Sequence, residues 1–508
     1  MALVTEVLDG LIEAMNIHRA RLEASELEVL RYRSILSPVR RLPLEIVGEI
    51  LLLVTPFTAG NLERARLLDL TTVCKHWRQA ALATHRLWNG LSVHGTTPQC
   101  AYDKILLWFR RAGAIPKSLH YEAPSLPCDC DDSDTLRECQ ATSPLLVHLL
   151  SEGPLLQHLK LNISKPGCLR NVMTAIQAYE SQNHPEKRPW DSLQSINLVF
   201  GAGAQWGEPI DPKETMFSSL PPVKAFRIQL PAPWSSFTYN DDSRAALPHS
   251  ATIFISRLTT FTVKWDCAGL KLFDLLRHCS NVETLTIDFA YRSPIRELRH
   301  TPAFKALARA PLTLPKVTEL RLRHTNTDIL VYLTTPALTS LDLGLNADLR
   351  ECDQFVRNVS SFLLRSSAMA TVQHLRVHML TIGVIPLRSL LYKLTALRRL
   401  TLDSVACGGL LFFTHSLPPL PLLTELNLLQ ISVRYNIALD LYLLHTRKNC
   451  QPCIVTVTYC QEPCPIRESE WNTFTLSLTR TRIDSTFISL RVLPSLAASG
   501  IYPCDDQD

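Results

Sequence analysis

A phrase of the form apolar-x-x-apolar-x-apolar returns ten times between residues 156 and 428, and no other feature restricts the fold of this chain as much. It reads Leu156-Leu159-Leu161, Leu193-Ile196-Leu198, Val223-Phe226-Ile228, Leu258-Phe261-Val263 and Val282-Leu285-Ile287. It continues as Val317-Leu320-Leu322, Leu338-Leu341-Leu343, Val372-Leu375-Val377, Leu397-Leu400-Leu402 and Leu423-Leu426-Leu428. The intervals between middle residues are 37, 30, 35, 24, 35, 21, 34, 25 and 26. Helical spacing fills many of the gaps, as at Leu169 to Tyr179, Leu270 to Cys279, Phe355 to Leu364 and Leu387 to Leu394. Each unit is therefore strand, turn, helix. A unit this short cannot bury its own apolar face, so it stacks on its neighbours into a solenoid with a parallel sheet. A doubly wound α/β domain also alternates strands with helices. Its buried strands read as continuous apolar runs, whereas these carry a polar residue inside almost every phrase.

Side chains alternate along a strand, so the residue between the last two apolar positions points away from the core. These residues are Lys160, Asn197, Arg227, Thr262, Thr286, Arg321, Asp342, Arg376, Thr401 and Asn427, and a parallel stack sets them in one polar row. Within it Arg321, Arg323 and Arg376 come closest to a basic cluster, with Glu319 and Asp342 nearby. Arginine can fork onto a partner's carboxylate or phosphate. Arg227, Arg321, Arg323, Asp342 and Arg376 are accordingly the candidate target-binding residues; the loops and the helical face are the competing locations.

The phrases resemble degenerate leucine-rich repeats of the longer, helix-containing kind, although the Asn or Cys expected just after the last apolar position is mostly missing. The resemblance implies a leucine-rich-repeat-like α/β solenoid over residues 151–459, its polar row lining a concave surface, with a cap and tail at 460–508.

A different pattern occupies residues 37–93. Pro43 suits the first turn of a helix, Ile46, Ile50 and Val54 follow at spacing four with Leu42 and Leu53 beside them, and Pro56 stops the run. A second run puts Leu70, Val73, Cys74, Trp77 and Ala81 on one face, and Leu87 and Trp88 close a third segment at Asn89 and Gly90. Three short helices cannot bury so much Leu, Ile and Trp among themselves, so the surplus face reads as a docking surface. The joint order LPLEI, then VCKHWR, then LW resembles the F-box motif. That resemblance implies a helical module that binds a Skp-type adaptor and, through it, a cullin. Leu42, Pro43, Ile46, Ile50, Leu51, Val73, Cys74, Trp77, Leu87 and Trp88 would form the adaptor-facing or core set. The stretch from Pro56 to Leu67 is longer than in compact F-boxes.

Residues 1–36 read as one helix from Thr5 onward. Leu8, Leu11, Met15 and Leu22 fall on heptad-like positions, interrupted by His18 and Ser25. A short coiled coil and a helix packed back on the next module both fit, and fewer than three clean heptads favour the second. Residues 94–150 form a connecting segment with a helical run at Ile105 to Ala112, a strand at Ser118 to Tyr121 and an acidic loop, CDCDDSD. Cys128, Cys130 and Cys139 have no histidine among them and match no familiar zinc spacing, so a solvated acidic loop is expected. Cys450, Cys453, Cys460 and Cys464 have a better spacing, but the strand-like Ile454 to Tyr459 would hold the two pairs ~23 Å apart. No metal and no cofactor is expected.

A formal charge of +5 over 508 residues does not imply nucleic acid. No apolar run approaches a bilayer span, and fifteen cysteines follow an N-terminus without signal-peptide character. The expected location is cytoplasmic or nuclear, without a membrane partner. Gly201-Ala202-Gly203 follows a strand-like run, but Pro209 and Pro212 forbid the helix that a dinucleotide turn requires. No P-loop, kinase, HExxH or nucleophile motif is present, so no enzymatic activity is expected. The function expected from the two resemblances is that of a substrate-recognition subunit of a Skp-cullin-F-box ubiquitin ligase holding an unknown protein target. The alternative is a non-degradative repeat scaffold.

Overall fold

The computed structural model describes residues 2–36, 42–55, 60–124, 128, 139, 141–183, 188–201, 220–229, 252–264, 270–289, 299–325, 327–345, 352–379, 381–382, 384–407, 420–431, 453–459 and 488–493. They belong to two units, Met1–Val93 with Pro98–His120, and His94–Thr97 with Tyr121–Asp508. No described helix is long and apolar enough to cross a membrane.

The first unit is largely helical. It contains α1 (Ala2–Leu36), α2 (Leu44–Val54), α3 (Asn61–Thr72), α4 (Lys75–Ala83), a 3-10 turn at His85–Trp88, strand β1 (Gly90–His94) and α5 (Tyr102–Arg111). Strand β2 (Ser118–Glu122) begins in it, and its Ser118 N–H donates to Asn89 O at 2.8 Å. Helix α1 forms as expected, but its described side chains from Val7 to Leu30 are all exposed. The expectation that it packs back on the next module is therefore corrected. Its alternating charges and broken heptad leave no continuous apolar stripe for α2–α4 to cover.

Helix α4 packs against both α2 and α3. Val47, Leu51, Leu67, Ala80 and Ala81 fill the space between them and are fully buried. At Gly48 a Cβ would collide with the Thr84 hydroxyl, so only glycine lets α2 come this close. His76 Nε2 donates to Leu42 O at 2.7 Å, tying α4 to the start of α2. Trp88 is fully buried, donates from Nε1 to Ala81 O at 2.8 Å and meets Trp108 edge-on at 4.7 Å, with Arg111 stacked 4.5 Å over its ring.

In the second unit the strands follow one another in the order of the chain. They are β3 (His158–Ile163), β4 (Ser195–Phe200), β5 (Ala225–Gln229), β6 (Thr260–Lys264), β7 (Thr284–Asp288), β8 (Glu319–Thr325) and β9 (Ser340–Leu345). Then come β10 (His374–His378), β11 (Arg399–Asp403), β12 (Glu425–Ile431), β13 (Cys453–Tyr459) and β14 (Ile488–Leu493). Every neighbouring pair from β3 to β14 is parallel. The order never reverses, as it would at the switch point of a doubly wound sheet. Strands β3 to β12 carry the ten phrases, and β14 extends the sheet past residue 459, the expected end of the solenoid.

The phrase is a register rule. Leu159, Ile196, Phe226, Phe261, Leu285, Leu320, Leu341, Leu375, Leu400 and Leu426 are successive cross-strand partners, and all are buried. Each such burial contributes about 1.5–3 kcal/mol. At the strand entrance a single carbonyl takes two N–H groups from the next phrase. Gln157 O accepts from Gln194 and Ser195, and Gln194, Lys224, Thr259, Glu283, Thr318, Thr339, Gln373 and Arg398 repeat the arrangement. At the exit His324, Met379, Ser404 and Gln430 turn left-handed, with φ of 47°, 56°, 53° and 50°. Each lies four residues past the middle of its phrase, where L-residues pay to adopt this conformation.

Helices α6 (Pro144–Glu152), α7 (Pro166–Asn183), α8 (Lys271–Leu276), α9 (Pro302–Arg309), α10 (Cys352–Arg365) and α11 (Val384–Tyr392) lie between strands in the chain. Their apolar faces are core, as with Phe355, Val359, Phe362 and Leu363 on α10. Phe273, Phe304 and Tyr332 form a mutual edge-to-face cluster at 5.2 to 5.9 Å.

Candidate functional site

The helical unit sorts the ten residues of its motif into three groups. Leu51, Leu87 and Trp88 are core; Leu42, Ile50, Cys74 and Trp77 are half-buried; Pro43, Ile46 and Val73 are exposed. Helix α2, LEIVGEILLLV, is apolar on both sides, and among the described residues its buried side is that of Val47, Gly48 and Leu51. Val47 and Leu51 point inward. Ile46, Ile50 and Leu53 recur at i, i+4 and i+7 on another face, where Ile46 is 49% and Leu53 87% exposed. Val73, between α3 and α4, is 61% exposed, and Leu62 and Leu68 on α3 are also open to solvent. The sequence pointed to Val73 but not to Leu62 or Leu68, because α3 has no clear apolar period.

The sheet unit sets its ten polar residues side by side. Lys160, Asn197, Arg227, Thr262, Thr286, Arg321, Asp342, Arg376, Thr401 and Asn427 are cross-strand partners in that sequence. None falls in the exposed class, and Thr286, Thr401 and Asn427 are buried. The row is not a loosely solvated face. Strands about 4.8 Å apart make neighbouring side chains cover one another.

The three central arginines are each held by a carboxylate. Arg323 forks onto Asp342 with both N–H···O distances at 2.8 Å. Arg376 Nη2 donates to Asp403 Oδ2 at 2.9 Å, and its Nη1 stands 3.6 Å from Asp342 Oδ2. Arg321 Nε donates to Glu319 Oε1 at 3.0 Å. A Cβ at Gly344 would come within 3.2 Å of Arg323 Cδ, so the glycine leaves that arginine its path. Asp403 also faces Ser404 Oγ at 3.3 Å, which donates to Gln430 Oε1 at 2.9 Å. His378 lies in this network with its pKa pushed below the ordinary value by burial, against the pull of Asp403. The nearby acids therefore compensate the cluster. It presents a fixed pattern of donors and acceptors rather than a basic patch. Arg227, further along the row, is half-buried between Asn197 and Thr262.

Two further groupings lie in the sheet unit. His158 Nδ1 and Ser195 Oγ stand 2.7 Å apart, a cross-strand contact that the register dictates. Burial lowers the His158 pKa. Cys128, Cys139 and Cys168 bring their sulfur atoms within 4.8 Å of one another. The spacing around the acidic loop concealed this group, because Cys168 comes from the first turn of α7, well beyond the loop in sequence. A hydrogen bond from Cys168 lowers the Cys139 pKa, against the effect of burial. Cys130 and the second cysteine-rich stretch, apart from buried Cys453, lie outside the described residues, as do Ala202, Gly203 and the prolines after them.

No protein-family model matches the chain, and no curated protein matches its sequence.

Proposed function

We propose that this chain is the substrate-recognition subunit of a Skp-cullin-F-box ubiquitin ligase. One observation carries the reading: α2 is apolar on two faces, and on the one formed by Ile46, half-buried Ile50 and Leu53 the described residues leave Ile46 and Leu53 open to solvent, with Val73 also exposed. A helix that is apolar all round is normally buried all round. The order LPLEI, VCKHWR, LW resembles an F-box, and the occupant it implies is the apolar helical surface of a Skp-type adaptor.

We read the sheet unit as a leucine-rich-repeat-like solenoid that holds the target. Parallel strands in chain order, an entrance carbonyl repeated between all ten phrases and a left-handed residue at four of the exits support that reading. The polar row, with Arg227, Arg321, Arg323, Asp342 and Arg376, is its recognition surface. The chain performs no chemistry of its own in this scheme. It raises the concentration of target near a ubiquitin-loaded enzyme.

The test is capture of purified Skp-type adaptor by the intact chain and by a chain carrying Ile46→Asp and Val73→Asp. Two unpaired charges in an apolar contact cost several kcal/mol, a loss of more than about 100-fold in affinity. Both positions are exposed, so folding is unaffected. A folded double variant that still binds, or an intact chain that does not, overturns the assignment. Affinity purification under proteasome inhibition, with and without residues 37–93, then separates ligase machinery from targets. A retained partner whose lifetime is unchanged when the protein is removed moves the reading to a non-degradative scaffold.

A further inference from the structure

Three cysteines that the proposed ligase role does not use converge beside the start of α7. Cys168 is wholly buried, Cys128 is buried and Cys139 half-buried, and none of the three is in a disulfide. The Cys128 and Cys139 sulfurs are 3.8 Å apart, and the three sulfurs lie mutually within 4.8 Å. A disulfide needs about 2.0 Å. A tetrahedral ion with metal–sulfur bonds of about 2.3 Å holds its sulfur ligands about 3.8 Å apart. The observed pair therefore has the separation of one edge of such a tetrahedron.

The surroundings suit coordinated thiolates. The Asn171 side chain and the Ala141 backbone hydrogen-bond to Cys139, as outer partners do around metal-bound sulfur. Cys168 occupies the first turn of the 18-residue helix α7, whose N-terminal dipole stabilises negative charge on sulfur. An exclusively thiolate set selects zinc or copper(I) over the hard divalent cations. Zinc is taken between these two, and copper(I) is the outcome that the experiment separates from it.

We propose that Cys128, Cys139 and Cys168 bind a single zinc ion as thiolates and supply three of its four ligands. The ion fastens both flanks of the acidic 129–138 segment to the first turn of α7. Its role is structural: it clips a segment near the start of the sheet unit to the first long helix between strands.

The experiment is metal analysis of the full chain, loaded with zinc under reducing conditions and passed over a chelating resin. The intact protein should retain about one zinc per chain, and Cys139→Ser and Cys168→Ala should lose it. Cys453→Ala, buried in β13 away from the cluster, should retain it. Cobalt(II) in place of zinc should give thiolate charge-transfer bands and the strong visible bands of a tetrahedral site, abolished by Cys139→Ser. Cys139 is half-buried and outside any helix, so this variant keeps the test valid if Cys168→Ala fails to fold. Four results overturn the proposal: no zinc in the intact protein, zinc retained by both cluster variants, zinc lost with Cys453→Ala, or copper(I) bound to the exclusion of zinc.

Discussion

Both units of this protein are written in leucine and isoleucine at regular spacing, yet they treat those residues in opposite ways. In the sheet unit the first, middle and last apolar residues of all ten phrases are buried, because each strand lays its row against the next. In the helical unit Val47 and Leu51 are buried, while Ile46 and Leu53 on the same helix are open to water. Regular apolar spacing thus has two outcomes. Where the repeat supplies its own neighbour the apolar surface is consumed within the chain, and where three short helices run out of neighbours a face is left over. The leftover face is the stronger functional signal, since buried rows explain stability and an uncovered one is what the proposed docking role rests on.

The largest expected effect separates the two directly. Leu341→Ala, in the middle of the buried row, should cost about 3 kcal/mol in denaturant unfolding of the sheet unit, whereas Leu53→Ala should stay within about 0.5 kcal/mol in the helical unit. Similar losses at both positions would mean that the exposed face is part of a core, and the contrast would fail.

A smaller effect tests whether the polar row is held as firmly as the apolar one. Side chains of Asp342 and Arg376 are only 13% and 19% exposed, so Asp342→Asn leaves Arg323 and Arg376 with less compensation inside a partly buried network. The expected loss is about 2 kcal/mol, discounted from the fully buried case for the solvent that remains. No loss would show that these pairs only decorate the surface.

The smallest effect is a pH dependence confined to the sheet unit. Burial depresses the pKa of His158, His374 and His378 below the ordinary histidine value. The unfolded chain therefore binds more protons than the folded one in the range between the depressed values and about 6.5. Stability is full above about 6.5 and declines as pH falls below it. Urea midpoints measured from about pH 7.5 down to about pH 5 should fall for the sheet unit, and less steeply in His378→Asn. A midpoint that rises on acidification would contradict the burial of these rings.

Much of this architecture was readable before any coordinates. Strand period is fixed by the geometry of successive residues, so Leu320-x-Leu322 and Leu341-x-Leu343 declare both their strands and their inward faces. Pro43 and the spacing of Ile46 and Ile50 declare α2 in the same local way. What only the tertiary structure decided concerns residues distant in sequence. That Ile46 rather than Val47 is uncovered depends on where α4 lies across α2. Helix α1, expected to pack back, stays exposed because its alternating charges give no stripe to bury. Arg323 and Arg376 reach Asp342 and Asp403 because the register aligns strands whose intervals vary from 21 to 37 residues. Cys168 joins Cys128 and Cys139 for the same reason: spacing in sequence encodes the local period, while the meeting of remote side chains is set by chain closure and stacking, which no local pattern records.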